Sequence, residues 1–215
     1  MTTINAHLFV LPKLLLNPGG KVSLNIFEPR YQAMIDDCLL TKTPMAIGTA
    51  HEFRQLSSDV RVPHEKYFYV HQTVGLGPIR LLHTAENGYR LILITGQMKG
   101  KILNVTENNL GFLSAEIEVI QENLKLDGRN TFLFRRLHAL IEDKVKPMLT
   151  EERDRKVLMD SLIHPSEVVA FYCENILNSM EAKTYLLELD DINEKIQFLA
   201  ELILRAPETK VSQFA

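Results

Sequence analysis

Between residues 7 and 122 apolar and polar positions alternate over short runs, and Gly or Asn pairs punctuate them, which is the pattern of short β-strands. Val22, Leu24 and Ile26 alternate with Ser23 and Asn25 just after Pro18-Gly19-Gly20, predicting a strand with one buried face. One helix interrupts the strands. After Pro29, Tyr31, Met34, Ile35, Cys38 and Leu39 fall at helical spacing and form one apolar stripe, and Thr43-Pro44 stops it. Residues 45–50 read as another strand, and the polar stretch 51–66 reads as a long loop.

The densest β signal lies between residues 67 and 121. Asn87-Gly88 predicts a hairpin turn of the primed type, and Asn108-Asn109-Leu110-Gly111 predicts a second hairpin. Strands this numerous and short suit a small closed or nearly closed barrel, which leaves few sheet edges exposed. Near residue 125 the period becomes helical. Phe134, Leu137, Ile141 and Val145 make one stripe, and Ile192, Ile196, Leu199 and Ile203 make the last. Ser166 is the expected N-cap of a helix carrying Val169, Tyr172 and Ile176. The expected fold is therefore α+β, with a barrel module over residues 1–125 and a C-terminal α-helical bundle over residues 126–215.

Composition narrows the function classes. Hydrophobic residues make up 46% and charged residues 24%, the balance of a globular chain. The net charge of −3 divides into +1 for residues 1–125 and −4 for residues 126–215, so neither part is biased towards nucleic acid. Cys38 and Cys173 are the only cysteines and read as buried thiols rather than a disulfide framework. With no signal sequence and no membrane-spanning run, the expectation is a cytoplasmic protein.

The motifs of common catalytic sites are missing from the sequence. Gly96-Gln97-Met98-Lys99-Gly100-Lys101-Ile102 is too short for a phosphate loop and reads as a turn between strands. Gly75-Leu76-Gly77 lacks a dinucleotide fingerprint and reads as a close backbone approach within a strand. His51-Glu52 and His64-Glu65 lack the second histidine of a zinc helix. Asp36-Asp37 and Asp190-Asp191 read as solvated or helix-terminal charges. No catalytic residue, metal site or cofactor is expected. Phe53 and the run Tyr67-Phe68-Tyr69 flank the polar loop, and exposed aromatics are common recognition anchors.

The segment from Leu11-Pro12 through Pro18-Gly19-Gly20 to Phe27-Glu28-Pro29-Arg30-Tyr31 resembles the opening of the Lon protease N-terminal, substrate-binding domain family. Further similarities are Val74-Gly75, Asn87-Gly88-Tyr89-Arg90, Gly96, the run from Phe112 to Glu118, and the stretch from Leu186 to Ile196. The chain departs from the family at Lys13 and Asn17, which replace apolar residues, and at Lys99-Gly100, which replaces an Arg-aromatic pair. The resemblance implies a barrel similar to that of pseudouridine synthase and archaeosine transglycosylase (PUA) domains, followed by helices. It also implies a stand-alone, non-catalytic peptide- or protein-recognition module without the ATPase and Ser-Lys protease domains of Lon. Expected partners are unfolded or extended polypeptide segments, or another protein. Glu28, Arg30, Phe53 and Tyr67 are the candidate peptide contacts. The alternative is an RNA-binding PUA-like module relying on Lys99 and Lys101; the charge balance disfavours it.

Overall fold

The computed structural model describes residues 2–50 and 70–205, which form two compact units. Of the described residues, the first comprises 2–50, 70–121 and 170–188, the second 122–169 and 189–205.

In the first unit the strands are β1 (Thr3–Pro12), β2 (Lys21–Ile26), β3 (Met45–Ala50), β4 (Thr73–Gly77), β5 (Ile79–Thr84), β6 (Arg90–Thr95), β7 (Met98–Glu107) and β8 (Leu113–Ile120). Five of them close a barrel in the order β1-β3-β4-β7-β8. β1 runs parallel to β3, with His7 opposite Met45, and antiparallel to β8, with His7 opposite Ser114. Alternation sorts the side chains. Leu8, Ala46, Leu76, Ile102, Ala115 and Ile117 fill one core, whereas Phe9, Met45 and Ile47 belong to another. That second core also takes Met34, Ile35 and Cys38 from α1 (Pro29–Thr41), together with Val22, Ile26, Ile92 and Ile94 of the sheet β2-β6-β5.

Glycines permit the close crossings. A Cβ on Gly75 would stand 1.7 Å from the Leu16 carbonyl oxygen, and one on Gly77 would stand 1.9 Å from that of Thr95, so this pair marks close backbone approach as its sequence suggests. The Asn87-Gly88 turn differs from the expected primed type. Ala85 N–H donates to Tyr89 O at 2.8 Å, Gly88 N–H donates to Ala85 O at 2.9 Å, and Gly88 has φ 81° while Asn87 keeps a negative φ. Glu86 is drawn into a three-residue loop that ends on a left-handed glycine. The β7–β8 hairpin repeats the device, with Gly111 at φ 77° and Asn108 N–H donating to Phe112 O at 3.0 Å. Only Gly96 and Gln97 separate β6 from β7, so the expected turn across residues 96–102 is mostly strand.

The first unit also takes residues 170–175 of α4 (Pro165–Asn175) and all of α5 (Met180–Glu188). α5 buries Leu186 and Leu187 and packs on β4, and Glu188 pairs with His71 at 3.2 Å.

In the second unit α2 (Thr131–Val145) packs on α6 (Ile192–Arg205), through stripes that bury Leu137, Ile141, Ile192, Ile196 and Leu199. α3 (Glu152–Asp160) buries none of its residues. Asp191 caps α6 by accepting the Asn193 N–H at 2.7 Å, and this bond, together with one from the Asn123 side chain, holds its carboxyl below the usual range. Lys195 and Glu122 form a buried ion pair. Ser166 is not the cap of α4. Pro165 occupies the first helical position, and Glu167 reaches back to accept the Ile163 and His164 N–H groups at 3.0 and 2.8 Å.

Candidate functional site

Glu28 stands at the N-cap of α1 with extended backbone (φ −74°, ψ 133°), and its side chain makes no capping bond. Its carboxylate instead accepts two bonds from Arg30, from Nε at 2.9 Å and from Nη2 at 2.7 Å. The Arg30 guanidinium also lies over the Tyr31 ring at 4.6 Å. With both side chains more than a third exposed, this ion pair contributes under about 1 kcal/mol to stability. Its two charges face solvent.

The β5–β6 hairpin is tied to the same helix. The Gln32 amide donates to Gly88 O at 3.1 Å, and Arg90 donates to Asp36 at 2.5 Å and to Gln32 O at 3.3 Å. These bonds hold Tyr89 beside Phe27, ring centroids 6.0 Å apart, although the two are 50% and 59% exposed. Arg30 and Arg90 are matched by Glu28 and Asp36, so the surface carries an apolar pair inside a charge-balanced rim. That arrangement suits burial of an apolar side chain better than capture of a charged ligand. In the sequence Phe27 and Tyr89 stand in two separate segments of the family resemblance, and nothing local links them. Phe53 and Tyr67 lie outside the described residues.

The structure also assembles a trio that spacing conceals. His7 Nε2 meets Asp37 Oδ2 at 2.5 Å, and His7 Nδ1 meets Ser114 Oγ at 3.1 Å. A carboxylate, imidazole and hydroxyl in line have the composition of a nucleophile relay. Ser114, however, lies within β8 and is paired to His7 of β1 and Thr106 of β7, so its amide belongs to the barrel ladder rather than to an oxyanion site. The trio ties β1, β8 and α1 together.

Lys99, which the RNA alternative relies on, has no exposed surface. It cannot touch a phosphate. Among the described residues there is no group of three or more His, Cys, Asp or Glu able to hold a metal, and no helix long and apolar enough to cross a membrane.

A closed five-stranded barrel followed by helices, with an exposed aromatic pair at a helix start, defines the class of the chain as α+β. The chain belongs to the ATP-dependent protease La (LON) substrate-binding domain family, whose model matches residues 5–205. It is 24% identical over 192 residues to a Lon protease of Anaeromyxobacter dehalogenans (strain 2CP-C), a match covering 89% of this chain and 22% of that relative. Its fold is similar to the crystal structure of a Lon N-terminal domain protein from Xanthomonas campestris, with TM-score 0.62, 17% identity, and coverage of 95% of this chain and 99% of that one. The N-terminal domain of a Mycobacterium avium complex Lon protease gives TM-score 0.67 at 14% identity, covering 95% and 100%.

Proposed function

We propose that the chain is a non-catalytic recognition module that binds unfolded or extended polypeptide, seating an apolar side chain against Phe27 and Tyr89. The observation that carries this reading is the exposed pair itself, held by Gln32 and Arg90 within a charge-balanced rim. Membership of a substrate-binding domain family supports the same class of partner. Glu28 and Arg30 frame the contact, and Phe53 and Tyr67 are proposed as further contacts from their sequence alone.

Burying one aromatic contact contributes on the order of 1–2 kcal/mol, and ordering an extended segment offsets part of the gain, so a single site should bind no tighter than roughly micromolar. Fluorescence anisotropy of labelled unfolded peptides tests this. Phe27→Ala or Tyr89→Ala should weaken binding about tenfold, with circular dichroism confirming that each variant is folded. Absence of binding across a broad peptide set at high micromolar protein would remove the reading.

A further inference from the structure

Asn87 is the only asparagine of the chain followed by glycine, and it is exposed in the loop between β5 and β6. Its side chain folds back along the backbone, where Asn87 Oδ1 accepts the Tyr89 N–H at 3.1 Å. Gly88 N is the peptide nitrogen between the two residues joined by that bond, and the nearest nitrogen along the chain to the side-chain amide carbon Cγ. A donor aimed at a carbonyl oxygen stabilises negative charge developing there, so the Tyr89 N–H makes Cγ a better electrophile. Gly88 has no side chain to crowd an approach, and a Cβ placed on it would meet nothing within 4 Å.

Two other bonds restrain the same residue. Gly88 N–H donates to Ala85 O at 2.9 Å, which keeps the proton on its nitrogen, and Gln32 Nε2 donates to Gly88 O at 3.1 Å, which pins the loop to α1. The contact between Phe27 and Tyr89 adds to this clasp. Local opening of the loop frees Gly88 N, and it is the step that the fold controls.

We propose that Asn87 is a self-modification site, at which Gly88 N attacks Asn87 Cγ at a rate set by the clasp of Gln32 on the hairpin. Gly88 N gives its proton to a solvent base, the bond from N to Cγ forms, the bond from Cγ to Nδ2 breaks, and Nδ2 departs as ammonia after taking a proton from water. Water then opens the cyclic imide at one carbonyl or the other, leaving aspartate or isoaspartate, and nothing is oxidised or reduced. The isoaspartate product routes the main chain through Cβ and Cγ, which lengthens it inside the loop closed by the Ala85 N–H bond to Tyr89 O. That change unseats Tyr89 from Phe27. Either product also adds a carboxylate beside a surface on which Arg30 with Glu28 and Arg90 with Asp36 are already matched. The chemistry is independent of what that surface binds.

The test ages the full chain at mildly alkaline pH, native and in urea, and follows Asn87 by peptide mapping with mass spectrometry. In the native chain Asn87 should convert ahead of every other asparagine, with isoaspartate among the products, and it should convert faster in urea. Gln32→Ala places a good helix former in α1. It should speed native conversion about five- to tenfold, the change in loop opening expected from loss of one hydrogen bond, and leave the rate in urea unchanged. Gly88→Ala should slow conversion in both states. In the isoaspartate fraction the nuclear Overhauser contact between the Phe27 and Tyr89 rings should disappear, whereas Asn87→Ser aged alongside should keep it. Native Asn87 still intact when the unfolded chain has converted overturns the proposal. A native rate that Gln32→Ala leaves unchanged overturns control by the clasp, and an isoaspartate fraction that keeps the ring contact overturns the consequence for Tyr89.

Discussion

Lys99 reaches from β7 to the last turn of α5 and donates from Nζ to the Leu187 carbonyl oxygen at 2.6 Å, with no part of the lysine exposed. A cation at the negative end of a helix is well placed, and burial raises the cost of removing it. Lys99→Ala leaves a cavity and an uncompensated carbonyl and should cost about 3 kcal/mol or more; Lys99→Met keeps the volume and should cost less. Urea unfolding of both variants checks this, and equal losses would show that the bond from Nζ to the Leu187 carbonyl, which both variants lack, matters there and packing does not.

Glu174 gives the stability a pH dependence. Burial pushes its carboxyl from the ordinary 4.5 up to about 7, against the opposing pull of the Asn17 and Lys21 backbone amides and the Lys183 charge. The folded state holds this proton more tightly than the unfolded state does. Its contribution is thus fully present below pH 4.5 and is lost as pH rises through about 7, amounting to up to about 3 kcal/mol. Glu174→Gln should flatten that slope when stability is measured by denaturant titration from pH 5 to pH 8. A wild-type curve rising with pH over the same window, with no difference in the variant, would contradict it.

Both thiols should be silent in the folded protein. Cys38 is 3% exposed, and burial together with the neighbouring Asp37 pushes its thiol up to about 12; Cys173 has no exposed surface. A thiol reagent at neutral pH should label neither until denaturant is added. Rapid labelling of native protein would show that the α1 core opens far more readily than its packing implies.

Three glycines should separate by environment. Gly75→Ala drives a Cβ into the Leu16 carbonyl and should cost several kcal/mol or prevent folding. Gly88→Ala meets no atom within 4 Å but must adopt φ 81°, a cost of roughly 1 kcal/mol. Gly128→Ala has neither obstacle and should be close to neutral. Thermal unfolding of the three orders them.

How much of this was legible follows from how local each signal is. The stripe of Met34, Ile35 and Cys38 and the alternation of Val22, Leu24 and Ile26 are set within one element, and both elements formed as their patterns predict. α3 left no trace because Glu152, Arg153, Asp154, Arg155 and Lys156 have no apolar face to repeat. The parallel pairing of β1 with β3, and the meeting of His7, Asp37 and Ser114, depend on chain closure rather than on periodicity. Lys99 misled for a different reason: a lysine next to glycine reads as a surface turn, and only the α5 carbonyl explains its burial. At the candidate site, Glu28 and Arg30 stood out through their motif, whereas Tyr89 gained its role only when Gln32 and Arg90 fastened the hairpin beside Phe27.

The barrel's own unit draws residues 170–188 from late in the chain. On a ribosome adding about 5–20 residues per second, β8 is complete several seconds before Leu187 is available. Through that interval the Lys99 ammonium has not yet met the carbonyl that receives it, and the surface of β4 that α5 covers is open to water or to a chaperone. The first unit is therefore incomplete until α5 has emerged.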